Sequence, residues 1–346
     1  MEARGPESDT VISSRVRLAR NVEGIPFPHA MSPEQAEEVI RMVGAAFRSP
    51  QASKVGLGDC ELYRLSDMDR LDRYVLVEKH LISPNMAQNA ANGAVVVGVG
   101  EAVSVMVNEE DHVRIQCLYP GLQLADALGL ANRVDDLLEA HLEYAFSEKR
   151  GYLTACPTNV GTGMRASVML HLPALVINNQ AGRVFSTVVK LGFLVRGLYG
   201  EGTEAAGNIF QVSNQVALGQ SESEIIGNLR NVVEQIIGQE RRVRETMLSE
   251  MRNQIEDKVG RAYGILLWSH MISSREAMQL LSDVRLGVEL GLIKDVDRSV
   301  LNELLVAIRP GYLQKLAGRE LDAEARDIKR AEVLKARLAP KGTARQ

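Results

Sequence analysis

Val107-Asn108-Glu109-Glu110-Asp111-His112-Val113-Arg114-Ile115 sets three adjacent carboxylates between two alternating stretches. Val103, Val105 and Val107 alternate before the acids, and Val113, Ile115 and Cys117 alternate after them, which is the period of a β-strand. The stretch predicts a β-hairpin with acids at its tip. Packing explains the valines but not three like charges, which repel one another. Taken alone, the acids are most simply a solvated turn. Their companions elsewhere in the chain point instead to a cation held at the hairpin.

Outward from the hairpin, residues 93–118 read as strands. Ser32–Phe47 reads as a helix: Ser32 caps it, Pro33 fits its first turn, Gln35 completes a capping box, and Ala36, Val39, Ile40, Val43 and Phe47 share one face. Gly121–Arg150 also reads as helical, with Val134, Leu137, Leu138, His141, Leu142 and Ala145 inward, His141 being a packed or rim residue and not a ligand. Strands are expected again at Tyr152–Ala155 and Val184–Val195. Near residue 220 the character changes. Ser221 and Glu224 form another capping box, Ile225, Ile226, Leu229, Val232, Val233, Ile236 and Ile237 follow at helical spacing, and Ser273 with Glu276 opens a further helix. The expectation is an α+β protein: an α/β unit over 1–220, an all-α unit over 221–337, and a frayed tail over 338–346.

At 346 residues the chain is long for one core, which favours two domains. A formal charge of −4 does not suggest a nucleic-acid binder or a polybasic membrane surface. No apolar run approaches a membrane span, and the polar N-terminus lacks the apolar core of a secretion signal. Cys60, Cys117 and Cys156 show no CxxC spacing, and the histidines form no HExxH, which argues against a disulfide framework or zinc and for a cytoplasmic location.

Several segments accompany the acidic hairpin. In Ser13-Ser14-Arg15-Val16-Arg17-Leu18, alternation puts Arg15 and Arg17 on one face, and two guanidinium forks suit phosphate oxygens, although charged outer residues of an edge strand are common too. Cys156-Pro157-Thr158-Asn159-Val160-Gly161-Thr162-Gly163-Met164-Arg165 would surround the Cys156 thiol with donors and positive charge; a glycine turn beside a buried cysteine is the plainer account. The glycine-rich loop Arg196-Gly197-Leu198-Tyr199-Gly200-Glu201-Gly202-Thr203-Glu204 can bring Glu201 toward whatever the hairpin acids hold. There is no GxxxxGK[ST], HRD or DFG string. Arginines beside glycine loops, with separate acids, suit phosphoryl transfer by positioning and charge neutralisation.

At these strings, SSRVRLARN, VNEEDHVRIQ, CPTNVGTGMRAS, RGLYGEGTEAAGNIFQVSN and the EKH at His80, the chain resembles the phosphagen (guanidino) kinase family over roughly its first 220 residues. The resemblance implies an antiparallel sheet flanked by helices, like that of glutamine synthetase. It implies a nucleotide site made of Ser13-Ser14-Arg15-Val16-Arg17, His80, Arg114, Arg165-Ala166-Ser167-Val168-Met169 and Arg196-Gly197-Leu198-Tyr199-Gly200-Glu201. It further implies that Glu110 and Glu201 grip the substrate guanidinium with Cys156 beside it, that ATP is used, and that Mg2+ is carried in by ATP without a protein metal site.

The departures are also informative. Met169 stands where the family usually has His, and Tyr199 where it usually has Arg. SSRVR begins at residue 13, so the N-terminal helical domain of small-molecule guanidino kinases is expected to be absent. The helical region after 220 and Arg326-Asp327-Ile328-Lys329-Arg330-Ala331 resemble the branch that phosphorylates arginine within proteins, in which an RDxxRA motif binds phosphoarginine. On a helix, Arg326 and Arg330 would share a face and a phosphate, with Asp327 as acceptor for a guanidinium. By the same resemblance the partners are protein substrates, a zinc-finger activator, a heat-shock repressor and a Clp unfoldase-protease, with the chain as a dimer. A kinase of a free small guanidine, or an inert phosphoarginine-binding adaptor, are the competing readings.

Overall fold

The computed structural model describes residues 5–52, 60–197 and 205–339. In chain order its first elements are β1 (Val11–Arg20), α1 (Pro33–Arg48), β2 (Cys60–Arg64), α2 (Arg70–Glu78), α3 (Pro84–Gln88), β3 (Ala94–Gly98), β4 (Val103–Val107), β5 (Val113–Pro120) and α4 (Leu124–Glu139). Then come β6 (Phe146–Ser147), β7 (Gly151–Tyr152), β8 (Met164–His171), α5 (Pro173–Ile177), α6 (Ala181–Lys190), β9 (Phe193–Gly197) and β10 (Ile209–Asn214). Six helices follow: α7 (Glu222–Glu250), α8 (Arg252–Trp268), α9 (Ser274–Glu289), α10 (Arg298–Ala307), α11 (Pro310–Ala317) and α12 (Ala323–Leu338).

Eight strands form one antiparallel sheet in the order β2-β3-β4-β5-β1-β8-β10-β9. Directly opposed residues of an antiparallel pair point to the same face, so the register sorts every side chain. One face carries Val16, Leu18, Val105, Ile115, Cys117, Ala166, Val168 and Val212, all fully buried and packed with apolar residues of α1, α4 and α7. The opposite face carries arginines. Arg17 opposes both Arg165 and Gln116, Arg114 opposes Ala19 and Met106, and Gln211 opposes Arg196 and Met169. Alternation in the SSRVRLAR stretch is thus the sheet's division into a core face and a working face. Small apolar clusters cover the two ends of the working face, one around Ile82, Met86, Val95 and Met106, the other from the C-terminal helices against Ile12, Met169 and Ile209.

Both expected capping boxes, at Ser32/Gln35 and Ser221/Glu224, form as read. Three local expectations need correction, the first being the strand foreseen over Tyr152–Ala155, which is only the two-residue β7 at Gly151–Tyr152. The helix foreseen over Gly121–Arg150 ends at Glu139, and the chain turns into the β6–β7 hairpin, which delivers Tyr152 to within 3.6 Å of the buried Arg20 guanidinium. His141 lies past the helix end and is exposed, its Nδ1 3.0 Å from the Leu137 carbonyl. The strand foreseen over Val184–Val195 is α6 followed by β9; Val184, Phe185 and Val188 sit at helical spacing, and only Phe193 onward pairs with β10.

The all-α character after residue 220 does not coincide with a break in the core. Ile225 to Ile237 of α7 pack with the sheet, whereas Met247, farther along α7, packs with Ile255, Val259 and Leu286. An N-terminal strap joins the two parts. Asp9 pairs with Arg241 and Arg244 of α7, and the Ser8 carbonyl accepts from Arg285 of α9. His171 and Asn208 meet Ser282 of α9 at 2.8 Å each. Leu338, foreseen at the start of the tail, is buried in α12, and its carbonyl accepts from Tyr263. Among the described residues, no helix is long and apolar enough to cross a membrane.

Candidate active site

The working face gathers Arg15, Arg17, Arg114, Arg165 and Arg196. Polar neighbours hold some of these forks: Arg15 donates to Gln211 Oε1 (2.7 Å) and Ser167 Oγ (3.4 Å), and Arg165 to Ser213 Oγ (3.3 Å). The Nε atoms of Arg17 and Arg165 are buried with no hydrogen-bond partner among the described residues. Burial holds the Arg17 guanidinium well below its usual range, reinforced by Arg15, Arg114 and Arg165 and opposed by Glu109. Cations packed this closely, with buried donors unmatched, favour a polyanion opposite them. Three of them, Arg15, Arg17 and Arg114, line a cleft of ≈ 510 Å³ together with His80 and Gln116.

Strand alternation divides the contiguous segments foreseen as nucleotide-binding. Ser13, Arg15, Arg17, Arg165, Ser167 and Met169 belong to the working face. Val16, Ala166 and Val168 point into the core and are fully buried, so their side chains contact nothing in the cleft. Ser14 is also taken by the fold: its hydroxyl donates to the Gly121 carbonyl (2.8 Å) and accepts from Gln123 N (3.0 Å). Gly197 ends β9, whereas Leu198, Tyr199, Gly200 and Glu201 lie outside the described residues.

His80 follows α2 with a left-handed backbone (φ 62°), and its carbonyl accepts from Gln116 Nε2 at 2.6 Å. Burial pushes the imidazole down to about 4, helped by Arg15 and Arg309, so the ring is neutral at neutral pH. Because the folded state takes up this proton later than the unfolded state, its contribution to stability is complete above about 6.5 and is lost as pH falls toward 4. His80→Asn, which tolerates the positive φ, should lose less stability than wild type between pH 7 and 5 in urea titrations. Parallel pH dependence of the two proteins would refute that assignment.

The three hairpin acids have three different fates. Asp111 is buried and structural: Oδ1 accepts from Asn21 Nδ2 and from Ala155 N, both at 2.7 Å. Glu109 pairs with Arg114 at 2.5 Å. His112 is fixed between the Val22 amide (3.0 Å) and the Pro26 carbonyl (2.7 Å), which makes it scaffold. Glu110 alone is exposed, and among the described residues no side chain hydrogen-bonds or ion-pairs with its carboxylate. Desolvation and the charge of Asp111 raise its pKa, with Glu109 adding and Arg114 and Arg17 opposing.

The Asp111–Ala155 bond also brings Cys156 next to the hairpin, with its Sγ 3.1 Å from Thr158 Oγ1. Arg165 lies within electrostatic range of both Cys156 and Glu110. The glycines of the same loop also serve the fold. Gly163 O accepts from Ala19 N, Gly161 O accepts from Tyr152 N, and a Cβ on Gly163 would lie 2.6 Å from the Ala19 carbonyl. Gln116, Gln211 and Ser213 escaped the reading of the sequence. Their signal was available, since each continues the polar alternation that begins with an arginine or ends a strand of the working face.

The RDxxRA segment divides likewise. Arg326 is half-exposed and Asp327 partly so, but Arg330 is 2% and Ala331 1% exposed. Arg330 donates from Nε to the Ile308 carbonyl (2.9 Å) and from Nη1 to the Ile272 carbonyl (2.8 Å), and it pairs with Asp327. Arg326 and Arg330 therefore do not present two solvent-facing forks to one phosphate.

An arginine-lined face beside an unengaged carboxylate is the geometry of a phosphotransferase acting on a cationic acceptor. Residues 38–243 match the family described as ATP:guanido phosphotransferase, C-terminal catalytic domain, and residues 252–346 match the Protein-arginine kinase McsB C-terminal domain. The chain is 56% identical to the protein-arginine kinase of Symbiobacterium thermophilum, over 98% of this chain and 96% of that protein. It is 53% identical to that of Moorella thermoacetica, over 98% and 97%. Among solved structures, the duplicated taurocyamine kinase of Schistosoma mansoni superposes with a TM-score of 0.59 at 28% identity, covering 68% of this chain and 34% of that longer one. Lombricine kinase superposes at 0.57 and 26%, covering 70% and 68%. The chain belongs to the ATP:guanido phosphotransferase family, in its protein-arginine kinase branch.

Proposed function

We propose that this protein transfers the γ-phosphoryl group of ATP to the guanidinium of arginine side chains in proteins. The observation that carries the reading is the working face itself: arginines with buried, unmatched donors stand beside Glu110, the hairpin acid that no side chain engages. Arginine is a poor nucleophile because its guanidinium stays protonated and its charge is delocalised. Glu110 accepts a proton from the attacking nitrogen as the N–P bond forms. The bond from the γ-phosphorus to the bridging oxygen breaks, and ADP leaves with its electron pair. The arginines stabilise charge on the transferred group. Glu201, outside the described residues, is the second carboxylate of this clamp, and Cys156 lines the acceptor side. The charged groups of the cleft are mostly guanidinium, which cannot ligate a metal, and magnesium would come in on the ATP phosphates.

In the same reading Arg326 and Asp327 receive phosphoarginine at the protein's surface, and Arg330 and Ala331 shape that site from within. Protein marking for a Clp-type protease, a stress-response repressor as substrate, a zinc-finger activator, a dimeric state and a cytoplasmic location extend the proposal. Incubation with ATP and a denatured protein tests its core. Acid-labile phosphate should appear on arginine by mass spectrometry. Acid-stable phosphate, or transfer to free arginine alone, would overturn it.

A further inference from the structure

A second, narrower opening continues the phosphate cleft. The two share Arg15 and His80 as lining residues. From the sheet, the slot is lined by Ser13, Leu118, Met169 and Gln211; from α10, by Asn302, Leu305 and Val306. Met169 and Leu305 pack against the apolar cluster of the C-terminal helices. The polar groups at the slot's edges have a consistent polarity. Gln211 Oε1 is taken by Arg15 and Asn302 Oδ1 by Arg285, which leaves both amides their N–H groups as donors. Flat apolar walls with donors at the rim suit a purine ring, whose edge nitrogens accept.

The C-terminal helices reach the phosphate cleft too. Arg309, at the N-terminus of α11, lines it together with Arg15, Arg17 and Arg114. This placement is built in. The Glu78 carboxylate, at the end of α2, accepts from both Gly311 N and Tyr312 N at 2.7 Å, and Lys315 pairs with Asp72. A Cβ on Gly311 would lie 2.9 Å from Glu78 Oε2, so a larger residue there would displace the carboxylate from its two amides. The joint between α10 and α11 is thereby docked to the helix that leads directly into His80.

We infer that the C-terminal helical domain forms one wall of the nucleotide site, with Leu305 and Val306 covering the base and Arg309 adding a cation at the phosphates. The inference rests on the reading of the working face as the ATP site. The slot holds ≈ 30 Å³, room for no more than a few water molecules. A purine therefore enters only as α10 steps away from the sheet. Nucleotide occupancy and the position of the C-terminal domain are coupled, and the coupling is reciprocal.

The test uses the full chain, with binding of ATP and of inorganic triphosphate measured by calorimetry and folding checked by thermal unfolding. Val306→Trp fills the slot and should weaken ATP by at least about tenfold while triphosphate changes by less than about twofold. Val306→Ala, which trims the cover over the base, should weaken ATP by less than about tenfold and leave triphosphate unchanged. Arg309→Gln should weaken both ligands by about tenfold or more, the loss of one charge-assisted contact. Arg17→Ala is the control for the ATP site. If Arg17→Ala weakens ATP but Val306→Trp and Arg309→Gln do not, the C-terminal wall is refuted and the ATP site stands. If Arg17→Ala leaves ATP binding unchanged, the ATP site fails and the wall with it.

Discussion

Glu110→Gln should lower phosphate transfer to arginine by about 10²–10⁴-fold, the usual range for a lost general base, with ATP affinity changed by less than about threefold. The amide keeps the size of the carboxylate but cannot take the proton from the attacking nitrogen. Its neighbours make the expectation specific. Asp111 is buried and held through Oδ1 by Asn21 and Ala155, and Glu109 is paired with Arg114, so neither is placed as a substitute base. The raised pKa of Glu110 adds a second readout. A base must be deprotonated, so the acid limb of the wild-type rate profile should lie above the ordinary carboxylate value, and this limb should vanish with Glu110→Gln. Phosphoarginine quantified by mass spectrometry, alongside nucleotide titration, measures both. Near-normal turnover in the variant would exclude Glu110 as the base, and equal loss of ATP binding would move it to the nucleotide side.

The division of labour among the acids marks where the sequence could be read and where it could not. Alternation on both sides of Glu109-Glu110-Asp111 announced the hairpin, and Arg15, Arg17, Arg165 and Arg196, with two-residue spacing or glycine neighbours, announced an arginine-lined face. Both signals are local, because strand period and charge are written in adjacent residues. Which acid is scaffold is not local: Asp111 is claimed by Asn21 and Ala155, respectively 90 and 44 positions away. Motifs taken as unbroken strings also mislead within strands. Ser14, Val16, Ala166 and Val168 lie in the right segments but on the wrong face or in the wrong bonds. The β-branched run at Val184–Val189 illustrates composition overruled by spacing, since α6 buries Val188 one turn after Val184. The wall contributed by α10 and Arg309 had no local signature, because it depends on how two distant parts of the chain dock.

Arg330→Ala should destabilise the protein by about 3–5 kcal/mol, the range for breaking a buried ion pair from one side. A four-residue spacing told that Arg326 and Arg330 share a face of α12, but not that the second lies inside. Arg330 is 2% exposed, and its guanidinium ties together three otherwise separate pieces: the Ile308 carbonyl at the end of α10, the Ile272 carbonyl before α9, and Asp327 of its own helix. Truncation would leave two backbone carbonyls and a carboxylate without their donor, and would open a cavity at a position that is 2% exposed. Arg330→Lys should rescue little, because one ammonium cannot reach two carbonyls and a carboxylate with a planar fork's geometry. Arg326→Ala should stay within about 0.5 kcal/mol of wild type, as a half-exposed position without such bonds. Urea unfolding of the three variants measures these differences. The contrast also sets the rule for testing phosphoarginine at this motif: loss of binding in Arg326→Ala reports on the ligand, whereas loss in Arg330→Ala reports first on the fold. A stability loss below about 1 kcal/mol in Arg330→Ala would show that the three contacts do not hold the joint, and would return Arg330 to the ligand side of the site.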